Sequence, residues 1–172
     1  TIDLWADPPR PRRILPDYGK NQPDLPVYKM PHLEGWVEAQ GLLVLPAIGR
    51  HELLLLDRRD WREAGRIAVH GQPVFAVARP DGRQVWVNFA HPANDVVQVI
   101  DVPSRRIVAT LKPGAAVLHL EFTPRGEQVW VSARDSDKVV VYDTETLETL
   151  TEITADKPSG IFLAGRANRI GF

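Results

Sequence analysis

The segment Arg79-Pro-Asp-Gly-Arg-Gln-Val-Trp-Val87 returns 44 residues later as Thr123-Pro-Arg-Gly-Glu-Gln-Val-Trp-Val131. Each copy is followed by a β-rich run ending in aspartate, Val96-Val-Gln-Val-Ile-Asp101 and Lys138-Val-Val-Val-Tyr-Asp143. A repeat of this length, made of short strands and turns, is the spacing of β-propeller blades. A fainter copy lies upstream, where Leu53-Leu-Leu-Leu-Asp57 ends 44 residues before Asp101, and Pro158-Ser-Gly-Ile-Phe-Leu163 opens a further unit. The sequence therefore predicts an all-β fold, a β-propeller of which about three to four blades are represented.

A propeller closes its ring with four to eight blades. The 172 residues are enough for a real core, and 44% apolar content is that of a globular chain. The expectation is that this chain is part of a longer protein or closes its ring with a partner, either the missing N-terminal half or a second copy. A formal charge of -1, from 21 basic and 22 acidic residues, gives no overall attraction for nucleic acid. The lack of cysteine excludes disulfides, thiolate metal sites, thiol nucleophiles and c-type haem attachment. No apolar run approaches transmembrane length, and the start Thr1-Ile-Asp-Leu-Trp5 has no signal-peptide pattern. Any export signal is expected upstream.

Seven prolines between residues 8 and 31 predict an irregular connection, either a surface linker or a loop over a ligand mouth. Residues 1–35 are read as this connection and a blade edge, and 36–172 as consecutive blades at about 36–70, 73–111 and 116–153, with the first strand of a closing blade at 158–164. Asp81-Gly82 and Arg125-Gly126 supply the turns between first and second strands, because glycine tolerates the positive φ these turns need. A helical turn is expected only near Asp60-Trp61-Arg62-Glu63. Trp86 and Trp130, at equivalent repeat positions, read as inter-blade packing, and Asp101 and Asp143 as caps on turn amides.

Five histidines, His32, His51, His70, His91 and His119, are the candidates for metal ligation or proton transfer. None has zinc-type spacing, and no metalloprotease, nucleophile-elbow, Walker or dinucleotide motif is present. His51 and His70 fall in turns. His119 falls in the first strand of its blade, the strand that lines a propeller channel. There it suits iron ligation, a hydrogen bond to a ligand carboxylate or proton transfer, and equally a structural role. His91 sits in the hairpin loop Phe89-Ala-His-Pro-Ala-Asn94, and His32 sits in Lys29-Met-Pro-His-Leu-Glu-Gly-Trp36, at the entry to the first blade. Arg134 and Lys138 flank a hairpin and read either as partners for anionic groups or as a solvated tip.

Lys29-Met-Pro-His-Leu-Glu-Gly-Trp36, Gly71-Gln-Pro-Val-Phe-Ala-Val-Ala-Arg-Pro-Asp-Gly82, His119-Leu-Glu-Phe-Thr-Pro and the tail Lys157-Pro-Ser-Gly-Ile-Phe162 through Arg169-Ile-Gly-Phe172 carry a resemblance. Together they resemble the C-terminal half of the NirF-type haem d1 biosynthesis proteins. These are relatives of the haem d1 domain of cytochrome cd1 nitrite reductase and of the dehydrogenase NirN, and all are eight-bladed propellers. The resemblance covers essentially the whole chain. It implies a periplasmic protein of denitrifying bacteria that binds haem d1 or its tetrapyrrole precursor in the channel and acts late in converting a sirohaem-derived intermediate. On that reading His119, with the metal role, and His32 and His91 offer imidazoles, while Arg134 and Lys138 pair with macrocycle carboxylates. Implied partners are other haem d1 biosynthesis proteins and nitrite reductase. Such proteins are about twice as long as this chain, and their N-terminal half supplies further pocket residues. The alternatives are a non-enzymatic interaction platform and, less supported without a c-type haem motif, an electron-transfer enzyme resembling nitrite reductase.

Overall fold

The computed structural model describes residues 2–11, 27–28 and 35–163. His32, most of its motif and the tail from 164 lie outside the described residues. A two-stranded hairpin, β1 (Ile2–Asp3) with β2 (Arg10–Pro11), precedes the blades. The first blade is β4 (Val37–Ala39), β5 (Leu42–Ile48), β6 (Glu52–Asp57) and β7 (Glu63–Ala68), with β3 (Val27–Tyr28) paired to the far end of β5. The second is β8 (Pro73–Ala78), β9 (Gln84–Phe89), β10 (Val97–Asp101) and β11 (Arg106–Leu111). The third is β12 (Val117–Phe122), β13 (Gln128–Ala133), β14 (Lys138–Asp143) and β15 (Thr149–Thr154). Every blade is an antiparallel meander in chain order. The chain is thus a partial propeller, as the repeat predicts.

Stacking blades buries both faces of their inner and middle strands, which is why these strands read as apolar runs without clean alternation. In β6, Leu53 and Leu55 enter the core shared with the second blade, alongside Ala76, Val85 and Val87. Leu54 and Leu56 face the opposite way, toward Leu43, Leu45, Trp36 and Trp61. A second inter-blade core joins Val77, Trp86, Val97 and Val99 to Val117, Leu120, Phe122 and Val129. The outer strand β15 is exposed throughout.

Repeat-equivalent positions fold alike. Gly82 and Gly126 take φ of 71° and 77° in the expected turns. Asp101 accepts from the Ser104 amide and hydroxyl, and Asp143 from the amides of Glu145 and Thr146. Both aspartates are the turn caps expected of them. The turn expected near residue 60 is a single one, closed by the Trp61 amide donating to the Asp57 carbonyl at 2.9 Å. Trp61 turns the chain with φ of 61°, and Glu63 already begins β7. Residues 158–163, expected as an inner strand, pair in no ladder among the described residues. An inner strand takes its partner from the strand that follows it, and residues 164–172 lie outside the description.

Candidate functional site

Antiparallel meanders put alternate connections at opposite ends of the blades. The loops between second and third strands, and those running to the next blade, share one end, here the upper end. His51, His70 and His91 stand there and are exposed. Arg134 lies in the short helical turn Arg134–Ser136, and Lys138 opens β14 at the same end. His119, third residue of β12, is in the upper half of its inner strand. Of the predicted site residues, only His32 falls outside the described residues.

A bulge near the start of the inner strands of the second and third blades shapes the surroundings of His119. The β8–β9 register shifts between Pro73 and Ala76, and the β12–β13 register between Val117 and Leu120. The bulges divert the amides of Phe75 and His119 from the ladder. Each bonds instead to a polar side chain on the neighbouring strand, Asn88 Oδ1 at 2.9 Å and Ser132 Oγ at 3.0 Å. Each polar side chain also reaches forward. Asn88 Nδ2 donates to the Val117 and Leu118 carbonyls at 3.2 Å, and Ser132 Oγ donates to the Ser159 carbonyl at 2.9 Å. This is how buried backbone groups stay satisfied across a blade junction. Sequence reasoning passed over Asn88 and Ser132, although a small polar residue two places after each repeat tryptophan was a legible signal.

The bulge also presents Phe75 and His119 at equivalent positions, with rings 6.3 Å apart and near-perpendicular. Phe162 continues the row at 5.4 Å from His119. The His119 ring is 9% exposed and Phe162 71%. The Ile161 amide donates to His119 Nδ1 at 3.1 Å. In the neutral ring the proton is then on Nε2, which makes that atom a donor. Metal-ligating histidines normally donate from the other ring nitrogen to an oxygen. For the iron role expected of His119, ligation through Nδ1 would displace the Ile161 amide, and ligation through Nε2 would also need the proton on Nδ1. Among the described residues no three histidine or carboxylate groups gather as a metal site.

The cations at this end have their own carboxylates. Arg134 Nη1 lies 2.8 Å from Asp135, Lys138 Nζ 2.7 Å from Glu152, and Lys157 Nζ 3.3 Å from Asp137. The Lys157 amide, then its ammonium, hold the Asp137 carboxyl below the ordinary range. Exposed pairs of this kind are held weakly, because water screens them and both side chains lose freedom. They are therefore exchangeable for another anion. Lys112 and Lys157, which sequence reasoning did not single out, stand on connections at the same end.

The cytochrome D1 heme domain family matches residues 1–167. The chain belongs to that family. It is 52% identical to Protein NirF of Pseudomonas aeruginosa and 51% identical to Protein NirF of Stutzerimonas stutzeri, in each case over 99% of this chain. Those alignments cover 43% and 44% of the relatives, so this member of the haem d1-domain family spans less than half their length. The solved structure of dihydro-heme d1 dehydrogenase NirN in complex with DHE superposes with a TM-score of 0.68 at 28% identity, over 79% of this chain and 30% of that one. A likeness to the β-propeller domain of Cps50 (Swd1) from Myceliophteria thermophila, TM-score 0.64 at 12% identity over 84% of this chain and 51% of that one, concerns the fold alone.

Proposed function

We propose that the chain is part of a haem d1 biosynthesis propeller that binds haem d1, or the sirohaem-derived tetrapyrrole preceding it, at the upper end of its blades. The observation that carries this reading is the gathering of His91, Arg134, Lys138 and inner-strand His119 at one end of consecutive blades, in a member of the haem d1-domain family. Such a ligand presents carboxylates around a broad apolar ring, so its site needs cations at the rim and apolar surface within. The residues fit that need. Arg134 and Lys138 can exchange exposed carboxylate partners for those of the ligand, and guanidinium does so through two parallel bonds. Phe75 and Phe162 supply apolar surface on either side of His119.

When bound, the iron tetrapyrrole supplies the redox and ring chemistry. The chain's own residues bind and orient it. His119, protonated on Nε2, acts as a hydrogen-bond donor, with His91 as an imidazole at the rim; His32, proposed as a further imidazole, lies outside the described residues. The reading carries with it a late step in the pathway, a periplasmic location, and a ring completed by further sequence or a second copy. Exposed Leu150 and Ile153 on the outer strand of the third blade support that completion.

An absorption titration of the purified protein with haem d1 tests the reading. A Soret shift that saturates, and that needs about tenfold more ligand when Arg134→Ala and Lys138→Ala are combined, is the expected outcome. An unchanged Soret band would sink it and leave the interaction-platform alternative.

A further inference from the structure

The lower end of the blades carries a different chemistry. A groove of about 330 Å³ runs between the first and second blades, lined by Gln40, Gly41, Leu42, Asp57, Arg59, Val102, Pro103 and Arg105. Arg59 and Arg105 line it together with Asp57, and further arginines stand on turns at the same end. Arg59 follows β6, Arg83 precedes β9, and Arg105 with Arg106 closes the β10–β11 turn, and all four are exposed. Other arginines at this end are neutralised. Arg58 pairs with Glu38 at 2.9 Å, Arg62 with Asp60 at 3.6 Å, Arg125 with Glu127 at 2.9 Å, and Arg79 with Glu145. Among the described residues, Arg59, Arg83, Arg105 and Arg106 enter no ion pair.

The carboxylates nearest the groove accept hydrogen bonds from neutral donors and keep their charge, and Asp101 also feels the Arg83 guanidinium. Asp57 Oδ1 accepts from the Arg59 amide at 2.7 Å, and Asp101 Oδ2 from the Ser104 amide at 2.9 Å. Arg105 is partly fixed, since its Nη1 donates to the Ala64 carbonyl at 2.6 Å across the blade junction, but a guanidinium retains further donors. Against a chain net charge of -1, the groove walls carry a local excess of cation, Arg59 and Arg105 against Asp57.

We infer that this groove is a docking site for an acidic, extended polypeptide segment of a partner protein. Arg59 and Arg105 come from adjacent blades to opposite walls, positioned to grip carboxylates in their planar forks. Leu42, Val102 and Pro103 offer apolar contact between them, and the Gln40 side chain offers an amide for a peptide backbone. Asp57 in the wall and the neutralised pairs at its border confine the positive field to a channel. A membrane surface or a single small anion would need a different distribution, a broad unbroken field or a closed cradle.

The test is fluorescence anisotropy with a labelled peptide of alternating glutamate and leucine. Saturable binding that weakens about tenfold in Arg59→Glu, and again in Arg105→Glu, while Arg50→Glu at the opposite end leaves it unchanged, supports the site. The same affinity for a peptide with glutamine in place of glutamate would overturn it, as would binding indifferent to both lower-end variants. Competition by millimolar inorganic phosphate as effective as that by the peptide would make this a small-anion site. Stronger retention on vesicles containing anionic phospholipid than on the peptide would make it a membrane contact. Either result also overturns the proposal.

Discussion

Trp86 and Trp130 occupy the same position in successive blades and have different surroundings. Each indole donates to the glutamine two residues before it, at 3.0 Å and 3.4 Å. Trp86 is fully buried, its ring 5.9 Å from Phe122 and 6.0 Å from Tyr142 of the third blade. Trp130 is half-buried. Identical strands thus give unlike environments, because the blade that follows decides how far the indole leaves water. The largest expected effect follows from this. Trp86→Ala should cost about 3–5 kcal/mol in urea unfolding and Trp130→Ala about 1–2. Equal costs in the 172-residue chain would break the comparison. Convergence of the two costs in a longer species would sharpen it, since a following blade would then cover Trp130 as the third covers Trp86.

The first turns of these two blades differ in the same directional way. A Cβ on Gly126 would meet Pro80 Cδ at 2.8 Å and Arg79 Cγ at 2.9 Å, both in the preceding blade. On Gly82 its nearest atom is the Gln40 amide nitrogen at 3.2 Å. Both glycines have positive φ, which an L side chain adopts at a cost of about 1–2 kcal/mol. Gly126→Ala adds overpacking against a proline ring, so about 2–4 kcal/mol is expected there and about 1–2 for Gly82→Ala. Thermal unfolding of the two variants ranks them, and the reverse order would show that the proline yields more easily than the backbone amide.

Asn88 and Ser132 give a smaller contrast. Asn88 closes one bond within its blade and two to the next; Ser132 accepts from the His119 amide and shares its single hydroxyl proton between the His119 carbonyl at 3.3 Å and the Ser159 carbonyl at 2.9 Å. Truncating Asn88 to alanine strands the Phe75 amide and both carbonyls at a cost of about 1–3 kcal/mol, and Ser132→Ala costs about 0.5–1.5. Hydrogen exchange locates the loss. Protection at Phe75 should fall in the first variant and at His119 in the second.

The blade pattern was legible because each blade repeats the same local devices, a glycine turn, an aspartate cap and an apolar middle strand, at fixed offsets. The placing of His91, Arg134 and Lys138 at one end follows from strand alternation alone. What could not be read was any contact between sequence-distant residues. Lys138 finds Glu152 across the β14–β15 ladder, and His119 takes its hydrogen bond from Ile161, 42 residues on. That bond makes Nδ1 an acceptor, a constraint on the ring that no local pattern carries. The turn before Trp61 goes no further than one hydrogen bond because the β6–β7 pairing takes over, with Glu63 already registered against Leu56.

The smallest expected effect separates the two aspartate caps. Asp101 is held below the ordinary aspartate range first by the Ser104 hydroxyl and then by the Ser104 amide. Asp143 is lowered by two backbone amides, those of Thr146 and Glu145. A carboxyl lowered in the folded state adds stability that is fully present above its unfolded value, about 3.9, and is lost as pH falls through the folded value beneath it. Asp143→Asn keeps an acceptor for both amides but removes the titration, so it should flatten the acid limb of unfolding below about pH 4. Ser104→Ala should flatten the Asp101 contribution, because it removes the leading cause there, whereas Thr146→Ala should leave most of the Asp143 contribution, since a backbone donor survives any side-chain change. Acid titrations followed by far-ultraviolet circular dichroism read both. If Thr146→Ala moved the acid limb as far as Ser104→Ala, the third blade's cap would depend on a side-chain hydroxyl after all.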